Sequence, residues 1–248
     1  MRIRAFGIAL VAMAAAAAAI VLPTQATTTE SAPVAERIIG GTNATENYGF
    51  YVKLFSGSSF LCGASLISPE WVVTAKHCVD ARPTSVRVGG TTLNSGEQIQ
   101  IASMDSTSPD FGIIKLAKAS AQGTPIPITT NALATGQAVR IIGHGQTCPT
   151  RGCGSAPNNL QQLDTTLVNN SGCTASFQSA KELCVGDNTQ RGACYGDSGG
   201  PLVVKVNGRW ELGGATSRAG QNNPTCATAP SIYEKVPAFN AWIKSHTG

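Results

Sequence analysis

Residues 196–201 read Gly-Asp-Ser-Gly-Gly-Pro, and this is the sharpest signal in the chain. A serine hydroxyl becomes a nucleophile only when a base removes its proton, and the site must also stabilise the oxyanion that forms. Glycines on both sides of Ser198 allow a tight turn with exposed N–H groups, as an oxyanion requires. The same residues are ordinary turn composition, so the hexapeptide alone leaves a polar turn as an equal alternative.

A serine nucleophile requires a base, and the chain has three histidines. His77 directly follows a β-prone run at 71–74, where a loop can aim its ring at Ser198. His144 lies between two glycines and His246 lies near the C-terminus. We therefore expect His77 to be the base and assign His144 and His246 to structural roles.

An imidazole base needs an acceptor that fixes its tautomer and stabilises its protonated form. Asp110 suits this role because it stands at the head of the apolar run 111–116, where water is scarce. The nearby rival is Asp105, but its surroundings, Ser-Met-Asp-Ser-Thr-Ser, are typical of a solvated loop. The sequence therefore favours Asp110 as the partner of His77.

In the rest of the chain after Ile38, short β-prone runs alternate with turn residues. Asn207-Gly208, between two such runs, is a strong hairpin signal. One helix is expected, from Pro237 to His246. These features predict an all-β protein, either a barrel or sandwich domain or two packed together. The runs are 50–55, 61–67, 71–74, 85–88, 98–102, 112–116, 138–142, 160–168, 201–206 and 210–215.

The composition sets limits on the class of protein. With 248 residues, 42% hydrophobic and 13% charged, the chain can bury a sizeable core and is not a charged disordered chain. The 27 glycines and 13 prolines predict many turns. A net charge of +4, without a dense Lys/Arg cluster, argues against a nucleic-acid partner.

The N-terminus predicts the compartment. Two arginines precede an uncharged stretch at 5–22, and the small-residue run Thr24-Gln25-Ala26 follows Pro23. This pattern is typical of a secretory signal peptide cleaved after Ala26. A transmembrane anchor is the alternative, but the stretch is largely alanine, which is weakly apolar. We expect a secreted, extracellular protein with no membrane attachment after cleavage, and the polar residues 27–37 indicate a linker or propeptide.

Eight cysteines in a secreted chain indicate disulfides. Eight thiols allow 105 pairings, and spacing alone selects none of them. A zinc site is the rival interpretation, but secretion and the lack of a second nearby pair of ligands argue against it.

Several segments together resemble the chymotrypsin-like (trypsin-fold) family of secreted serine endopeptidases. VVTAKHCV (72–79), DFGIIKL (110–116) and GDSGGP (196–201) are similar to that family's His, Asp and Ser motifs, in the family's order. RIIGG (37–41) resembles its zymogen-activation site, and SIYEKVPAFNAWIKS (231–245) its last strand and helix. The resemblance covers nearly all of the chain after Arg37.

The resemblance implies two packed antiparallel six-stranded β-barrels with a short C-terminal helix. Residues 1–26 would be the signal peptide, 27–37 the propeptide and 38–248 the protease domain. It implies no cofactor or metal, and a monomer whose partners are protein or peptide substrates, an activating protease and proteinaceous inhibitors.

The resemblance also implies site roles. His77 is general base and then general acid, Asp110 orients it, and Ser198 is the acylated nucleophile. The N–H groups of Gly196 and Ser198 form the oxyanion hole, and Ser217 supports Asp110. Cleavage after Arg37 frees the Ile38 amine to pair with Asp197, so the uncut chain is expected to be nearly inactive.

By resemblance, three disulfides are expected: Cys62–Cys78, Cys173–Cys184 and Cys194–Cys226. Cys148 and Cys153 have no family counterpart, and pairing them closes a small, turn-rich loop near the substrate cleft. The family also has different residues at three positions: a small residue at Lys76, and Trp at both His144 and Arg218. The sequons at Asn43 and Asn169 are candidates for N-glycosylation.

The family position for the floor of the primary pocket is Gly192, with Ala193, Ala219 and Ser231 as further lining. None supplies the carboxylate that a buried Lys or Arg requires. We therefore expect cleavage after apolar residues, with trypsin-like specificity as the alternative. A non-catalytic binding or decoy protein on the same fold is the second hypothesis, because fold alone does not guarantee activity.

Overall fold

Antiparallel strands form the framework of the part of the chain that the computed structural model describes, residues 38–186 and 189–248. The predicted signal peptide 1–26 and propeptide 27–37, including Arg37, lie outside the described residues. No helix in the described part is long and apolar enough to cross a membrane. The strands are β1 (Thr42–Asn43), β2 (Tyr51–Ser56), β3 (Ser59–Ser68), β4 (Trp71–Ala75), β5 (Ser85–Val88), β6 (Glu97–Thr107), β7 (Phe111–Leu116), β8 (Ala138–Gly143), β9 (Gln161–Thr166), β10 (Glu182–Val185), β11 (Pro201–Val206), β12 (Arg209–Ala219) and β13 (Ser231–Lys235), and the α-helices are α1 (Lys76–Asp80) and α2 (Asn240–Thr247).

Strands β2 to β7 close into the first barrel, in the order β2-β3-β4-β7-β6-β5 with antiparallel neighbours. Aliphatic and aromatic side chains fill its interior, and removing them from water is the main stabilising contribution. They include Val52, Leu54, Leu66, Val72, Ile99 and Ile114, which share one face of the strands.

The second barrel is built from β8 to β13, within a sheet of order β1-β9-β8-β11-β12-β13-β10. An antiparallel bridge between Leu167 and Val185 joins the ends of β9 and β10 and closes six of these strands, while β1 pairs with β9 as an additional strand. The prediction of two antiparallel six-stranded barrels with a short C-terminal helix is confirmed.

The hairpin predicted at Asn207-Gly208 is confirmed, because Val206 pairs with Arg209 across it. Its two turn residues have φ of 48° and 80°. Positive φ at both positions defines the type I′ turn, whose twist matches that of the adjoining strands. The predicted terminal helix is a 3₁₀ turn, Val236–Phe239, followed by α2.

Three short elements were indicated neither by the β-prone runs nor by the family's last strand and helix: β1, β10 and α1. The first two are strands of two and four residues, and α1 has five residues. Elements this short are set by their neighbours in the fold more than by their own periodicity. Helix α1 corrects one expectation, because His77 lies in its first turn and not in a loop.

Glycines let the two barrels approach each other closely. Gly199 has φ of +72°, and a Cβ added there would lie 2.0 Å from Oγ1 of Thr74 in the first barrel. A Cβ added at Gly63 on β3 would lie 2.8 Å from Cα of Gly200. No side chain fits at either point, so these glycines set the distance between the barrels.

Lys53 on β2 is a buried cation, with 0% exposure. Its ammonium donates to the carbonyl oxygens of Gly89, Thr92 and Ser95, at 2.9, 2.9 and 2.8 Å. Burial, followed by the charge of Arg87, lowers the pKa of Lys53 to about 8. All three donors of the ammonium are used, which offsets the cost of burying the charge and holds the 89–96 loop against the barrel.

The structure contains four disulfides, and no cysteine of the described chain is free. Each has the S–S distance and Cα separation of a disulfide bond. The pairs are Cys62–Cys78, Cys148–Cys153, Cys173–Cys184 and Cys194–Cys226, as expected from the sequence.

Candidate active site

Two neighbouring strands of the first barrel bring His77 and Asp110 together. β4 and β7 pair with Ala75 opposite Phe111, so α1 begins where β7 starts. The N–H of Lys76 donates to the carbonyl of Asp110 at 3.0 Å, which fixes the two chain ends. The register of one strand pair therefore places the imidazole beside the carboxylate.

Three donor groups bind the Asp110 carboxylate. His77 Nδ1 lies 2.8 Å from Oδ2, the His77 backbone N–H donates to Oδ1 at 3.0 Å, and Ser217 Oγ donates to Oδ2 at 2.7 Å. Burial raises the pKa of Asp110, but the bonds from His77 and Ser217 outweigh it, so the pKa lies below its usual value. An ionised Asp110 keeps the proton on Nδ1 and leaves Nε2 able to accept another.

Ser198 lies in the loop before β11 and lines the same cavity as His77. Its carbonyl accepts a hydrogen bond from the N–H of Gly63 at 2.9 Å, which anchors the loop to the first barrel. Both residues are described, and no hydrogen bond joins Ser198 Oγ to His77 Nε2. In unliganded enzymes such catalytic bonds are often long and shorten when substrate binds.

The backbone around Ser198 can stabilise a negative charge. Gly196 has φ of +99°, a conformation that glycine adopts without strain. The N–H groups of Gly196 and Ser198 donate to no other group within residues 38–186 and 189–248. Two N–H donors near a nucleophile are what an oxyanion hole requires.

Asp197 is a buried carboxyl, 2% exposed, between the site and the second barrel's core. The N–H groups of Gly145 and Cys194 donate to it at 2.7 and 2.9 Å. Burial raises the pKa of Asp197 to about 7, against the effect of these two bonds. No basic side chain of the described chain forms a salt bridge with Asp197. Ile38, 1% exposed, belongs to the core of the second barrel.

A cavity of about 340 Å³ opens beside Ser198. Gly192, the residue predicted to form the floor of the pocket, is buried and lies behind Ala227. A Cβ added at Gly192 would lie 3.9 Å from Cα and Cβ of that alanine. The other three predicted residues line the cavity directly: Ala193, Ala219 and Ser231.

The cavity has basic groups and no acid among the described residues that line it. The basic side chains that line the cavity belong to His77, Arg151 and Arg218. A carboxylate would be needed to offset the burial of a cationic substrate side chain. A cationic side chain inside this cavity would therefore lack a charge partner among the described lining residues.

Arg218 is bound by the protein on every side of its guanidinium. It donates to the carboxylate of Glu182 at 2.6 Å, to Ser217 Oγ at 3.2 Å, and to the carbonyls of Ala175 and Ser176. Glu182 is buried, 2% exposed. Sequence reasoning missed Glu182, because an isolated Lys-Glu-Leu segment gives no sign of burial.

Glu234 faces Glu182 across the β10–β13 pair, and it too was missed. It is 0% exposed, and neither of its carboxyl oxygens has a hydrogen-bond partner among the described residues. Burial, followed by the charges of Glu182 and Asp110, raises the pKa of Glu234 to about 8. Glu234 is therefore a neutral acid near pH 7, beneath the network that supports Asp110.

The other two histidines lie away from Ser198. His144 is buried, its Nδ1 lies 2.9 Å from the Pro157 carbonyl, and burial lowers its pKa to about 4. His246 pairs with Asp105 at 2.9 Å. Asp105 lies on β6, which corrects its assignment to a loop, and its partner is not His77.

The remaining candidates lie at the surface or in a disulfide. Asn43 and Asn169 are both exposed, Asn43 on β1 and Asn169 before a 3₁₀ turn. Cys62, His77 and Cys78 form a cluster of metal-ligand types, but the two cysteines are joined to each other. Disulfide sulfurs are not thiolate ligands, so this cluster does not suit a metal ion.

Comparisons with known proteins agree with this geometry. Residues 38–243 match the family model described as "Trypsin". The chain is 31% identical over 236 residues to brachyurin of Leptuca pugilator, covering 85% of this chain and 99% of that protein. It is 34% identical over 232 residues to serine protease 1 of Homo sapiens, covering 85% and 89%. The solved structure of mouse neuropsin, a serine protease, aligns with a TM-score of 0.73 and 26% identity, covering 85% of this chain and all of that one.

Proposed function

Because the chain belongs to the trypsin family and is a serine endopeptidase, we propose that it cleaves peptide bonds through Ser198, His77 and Asp110. The observation that carries the proposal is the bonding of Asp110 to both His77 and Ser217 at the cavity that Ser198 lines. A base oriented by a buried carboxylate, next to a serine, is the arrangement that nucleophilic acyl transfer needs.

In the first step, Ser198 Oγ attacks the carbonyl carbon of the scissile bond while His77 Nε2 takes its proton. The carbonyl oxygen becomes an oxyanion, which the N–H groups of Gly196 and Ser198 bind. Collapse of this intermediate breaks the C–N bond, and His77 returns the proton to the leaving amine. The product is an acyl-enzyme on Ser198.

In the second step, water replaces the amine. His77 removes a proton from the water as its oxygen attacks the acyl carbon. The second oxyanion occupies the same pair of N–H groups and then collapses, and His77 returns the proton to Ser198 Oγ. The carboxylic product leaves, and the enzyme is restored.

Activation follows cleavage after Arg37 in this proposal. The new Ile38 amine enters the core of the second barrel and pairs with Asp197, whose carboxyl is buried without a cation in the described chain. A buried charge is strongly stabilised by such a partner. This pairing orders the Gly196–Ser198 loop, so an activating protease is required.

The cavity favours apolar residues before the scissile bond. Its predicted lining is small and uncharged, and no described residue supplies an acid to pair with Lys or Arg. We propose that Leu, Met, Phe or Tyr is preferred over Ala. It follows that the enzyme does not activate itself efficiently at Arg37.

The signal peptide and disulfides support secretion as a zymogen, with cleavage after Ala26. The mature protein acts as a monomer on proteins or peptides, subject to proteinaceous inhibitors. Asn43 and Asn169 are its proposed glycosylation sites, since both are exposed.

Labelling with a sulfonyl fluoride, before and after cleavage at Arg37, tests the proposal. We expect modification of Ser198 and loss of turnover only in the cleaved protein, and Ser198→Ala should lose nearly all activity, with His77 and Asp110 in place. Undiminished hydrolysis by Ser198→Ala would overturn the assignment and favour another nucleophile. No hydrolysis by the cleaved wild type would favour the binding-protein alternative.

A further inference from the structure

The Cys148–Cys153 loop forms part of the wall of the specificity cavity. The N–H of Cys226, from the neighbouring disulfide, donates to the carbonyl of Pro149 at 2.9 Å. Gln146 binds the end of the loop around Cys153, because its Oε1 accepts from the N–H of Gly152 at 3.2 Å and its amide donates to the carbonyl of Gly154. The loop is therefore held in place beside the cavity by bonds on two sides.

Arg151 lies at the tip of this loop and lines the cavity. Its guanidinium carbon lies 4.4 Å from the ring centroid of Tyr195, within the range of a cation–π contact. The Tyr195 hydroxyl donates to the carbonyl of Pro224 at 2.6 Å, so the ring is fixed across the cavity entrance. Stacking uses the face of the guanidinium and leaves its N–H edge available.

The two guanidinium groups at the cavity differ in their partners. Arg218 is neutralised by Glu182 and its N–H groups are taken by protein oxygens. Arg151 is exposed, and within residues 38–186 and 189–248 no carboxylate lies within 4 Å of it and no group accepts a hydrogen bond from it. Of the two guanidinium groups at the cavity, Arg151 is therefore the one whose positive charge no described carboxylate compensates.

We propose that Arg151 is a specificity-determining residue that binds a substrate carboxylate, from Asp or Glu, near the apolar residue that fills the cavity. Tyr195 directly precedes Gly196, one of the oxyanion-hole residues, so Arg151 lies close to the reacting bond. A planar guanidinium binds a carboxylate with two parallel N–H···O bonds. This inference rests on the proposed function for the reaction, and the recognition it describes can also be measured without turnover.

The test compares the kcat/KM of activated protein on matched peptides with one fixed apolar residue before the scissile bond. Glu, Gln or Lys is placed in turn at each neighbouring position on either side. We expect Glu to exceed Gln by about three- to tenfold at one or more positions, with Lys lowest, and the preference to weaken in high salt. Arg151→Gln should abolish the preference, whereas Arg209→Gln, an exposed arginine in the β11–β12 hairpin, should keep it.

Equal kcat/KM for Glu and Gln peptides at every position, or a preference that survives Arg151→Gln, would overturn the inference. Binding of the same peptides to Ser198→Ala, followed by fluorescence anisotropy, separates this failure from failure of the proposed reaction. A Glu preference in binding that Arg151→Gln removes, without any turnover by wild type, would support the recognition role and refute the reaction. Turnover without a Glu preference would refute the recognition role alone.

Discussion

Ser217 reaches the Asp110 carboxylate from the second barrel, while His77 reaches it from the first. We expect Ser217→Ala to lower kcat/KM about tenfold, because one of the hydrogen bonds that holds a charged acceptor in place is lost. Peptide hydrolysis by activated protein measures this. Ser245→Ala, an exposed serine on α2, is the control. Unchanged turnover in Ser217→Ala would mean that His77 alone orients the carboxylate.

Glu234 makes stability depend on pH. Its pKa, raised by burial and by the charges of Glu182 and Asp110 to about 8, is above the ordinary value of 4.5. The folded state therefore holds a proton that the unfolded state releases, so the stabilisation that this group contributes is complete below about pH 4.5 and is lost as pH rises through about 8. The slope from this one group is at most about 1.4 kcal/mol per pH unit.

Glu234→Gln should remove this loss, since the amide does not ionise. Urea unfolding across that pH range measures the free energy of unfolding of both proteins. The value for the variant minus the value for wild type should increase as pH rises. Glu70→Gln, in the turn between β3 and β4, is the matched control and should run parallel to wild type. Parallel profiles for Glu234→Gln and wild type would show that Glu234 does not hold a proton in the fold.

Strand β10 shows why the sequence did not predict every element. Its four residues begin with Glu182, a residue type that is depleted in strands and that is rarely buried. It is buried because Arg218, on β12, supplies a charge partner at 2.6 Å. A pairing between residues this far apart in the chain leaves no local pattern, so neither β10 nor the acid pair could be predicted.

Arg218→Met tests this pairing of strands. It leaves the Glu182 charge buried opposite Glu234, and we expect a loss of about 3 kcal/mol in the free energy of unfolding. The double variant Arg218→Met/Glu182→Met should recover most of that loss, because no unpaired charge remains. Chemical denaturation measures both. A double variant as unstable as the single one would indicate lost packing and no role for the charge.

At the scale of the whole molecule, the β-prone runs between turns predicted an all-β protein, and the family resemblance implied the two barrels. The three residues proposed for catalysis were predicted from short motifs around His77, Asp110 and Ser198. The closure of the second barrel depends on a single bridge, Leu167 to Val185, which no local signal marks. Long-range closure and buried polar partners are the features that sequence reasoning could not reach.

Cleavage after Arg37 should change stability in a pH-dependent way. In the uncut chain, burial raises the pKa of Asp197 from 3.8 to about 7, so the folded state loses stability as pH rises through that window. In the cut chain, the paired Ile38 amine keeps Asp197 ionised, which removes the loss. We expect the Tm of the cut protein to exceed that of the uncut protein by an amount that grows from about pH 4 to about pH 7.

Differential scanning calorimetry of both forms across that range measures the difference in Tm. Asp197→Asn should make it independent of pH. If the Tm of cut wild type exceeds that of uncut wild type by the same amount at both ends of the pH range, the new amine does not pair with Asp197.

The buried ammonium of Lys53 determines how the 89–96 loop depends on the ions in solution. Three carbonyl oxygens of one loop converge on it, as such oxygens do on a bound cation. A metal ion bound from solvent dissociates when the concentration of that ion falls. The Lys53 ammonium is covalently attached to β2, so its effective concentration at the loop is fixed. The position of the loop therefore does not depend on a cation from the solvent, so dilution, chelators or a change in the mineral content of the surroundings should leave it in place.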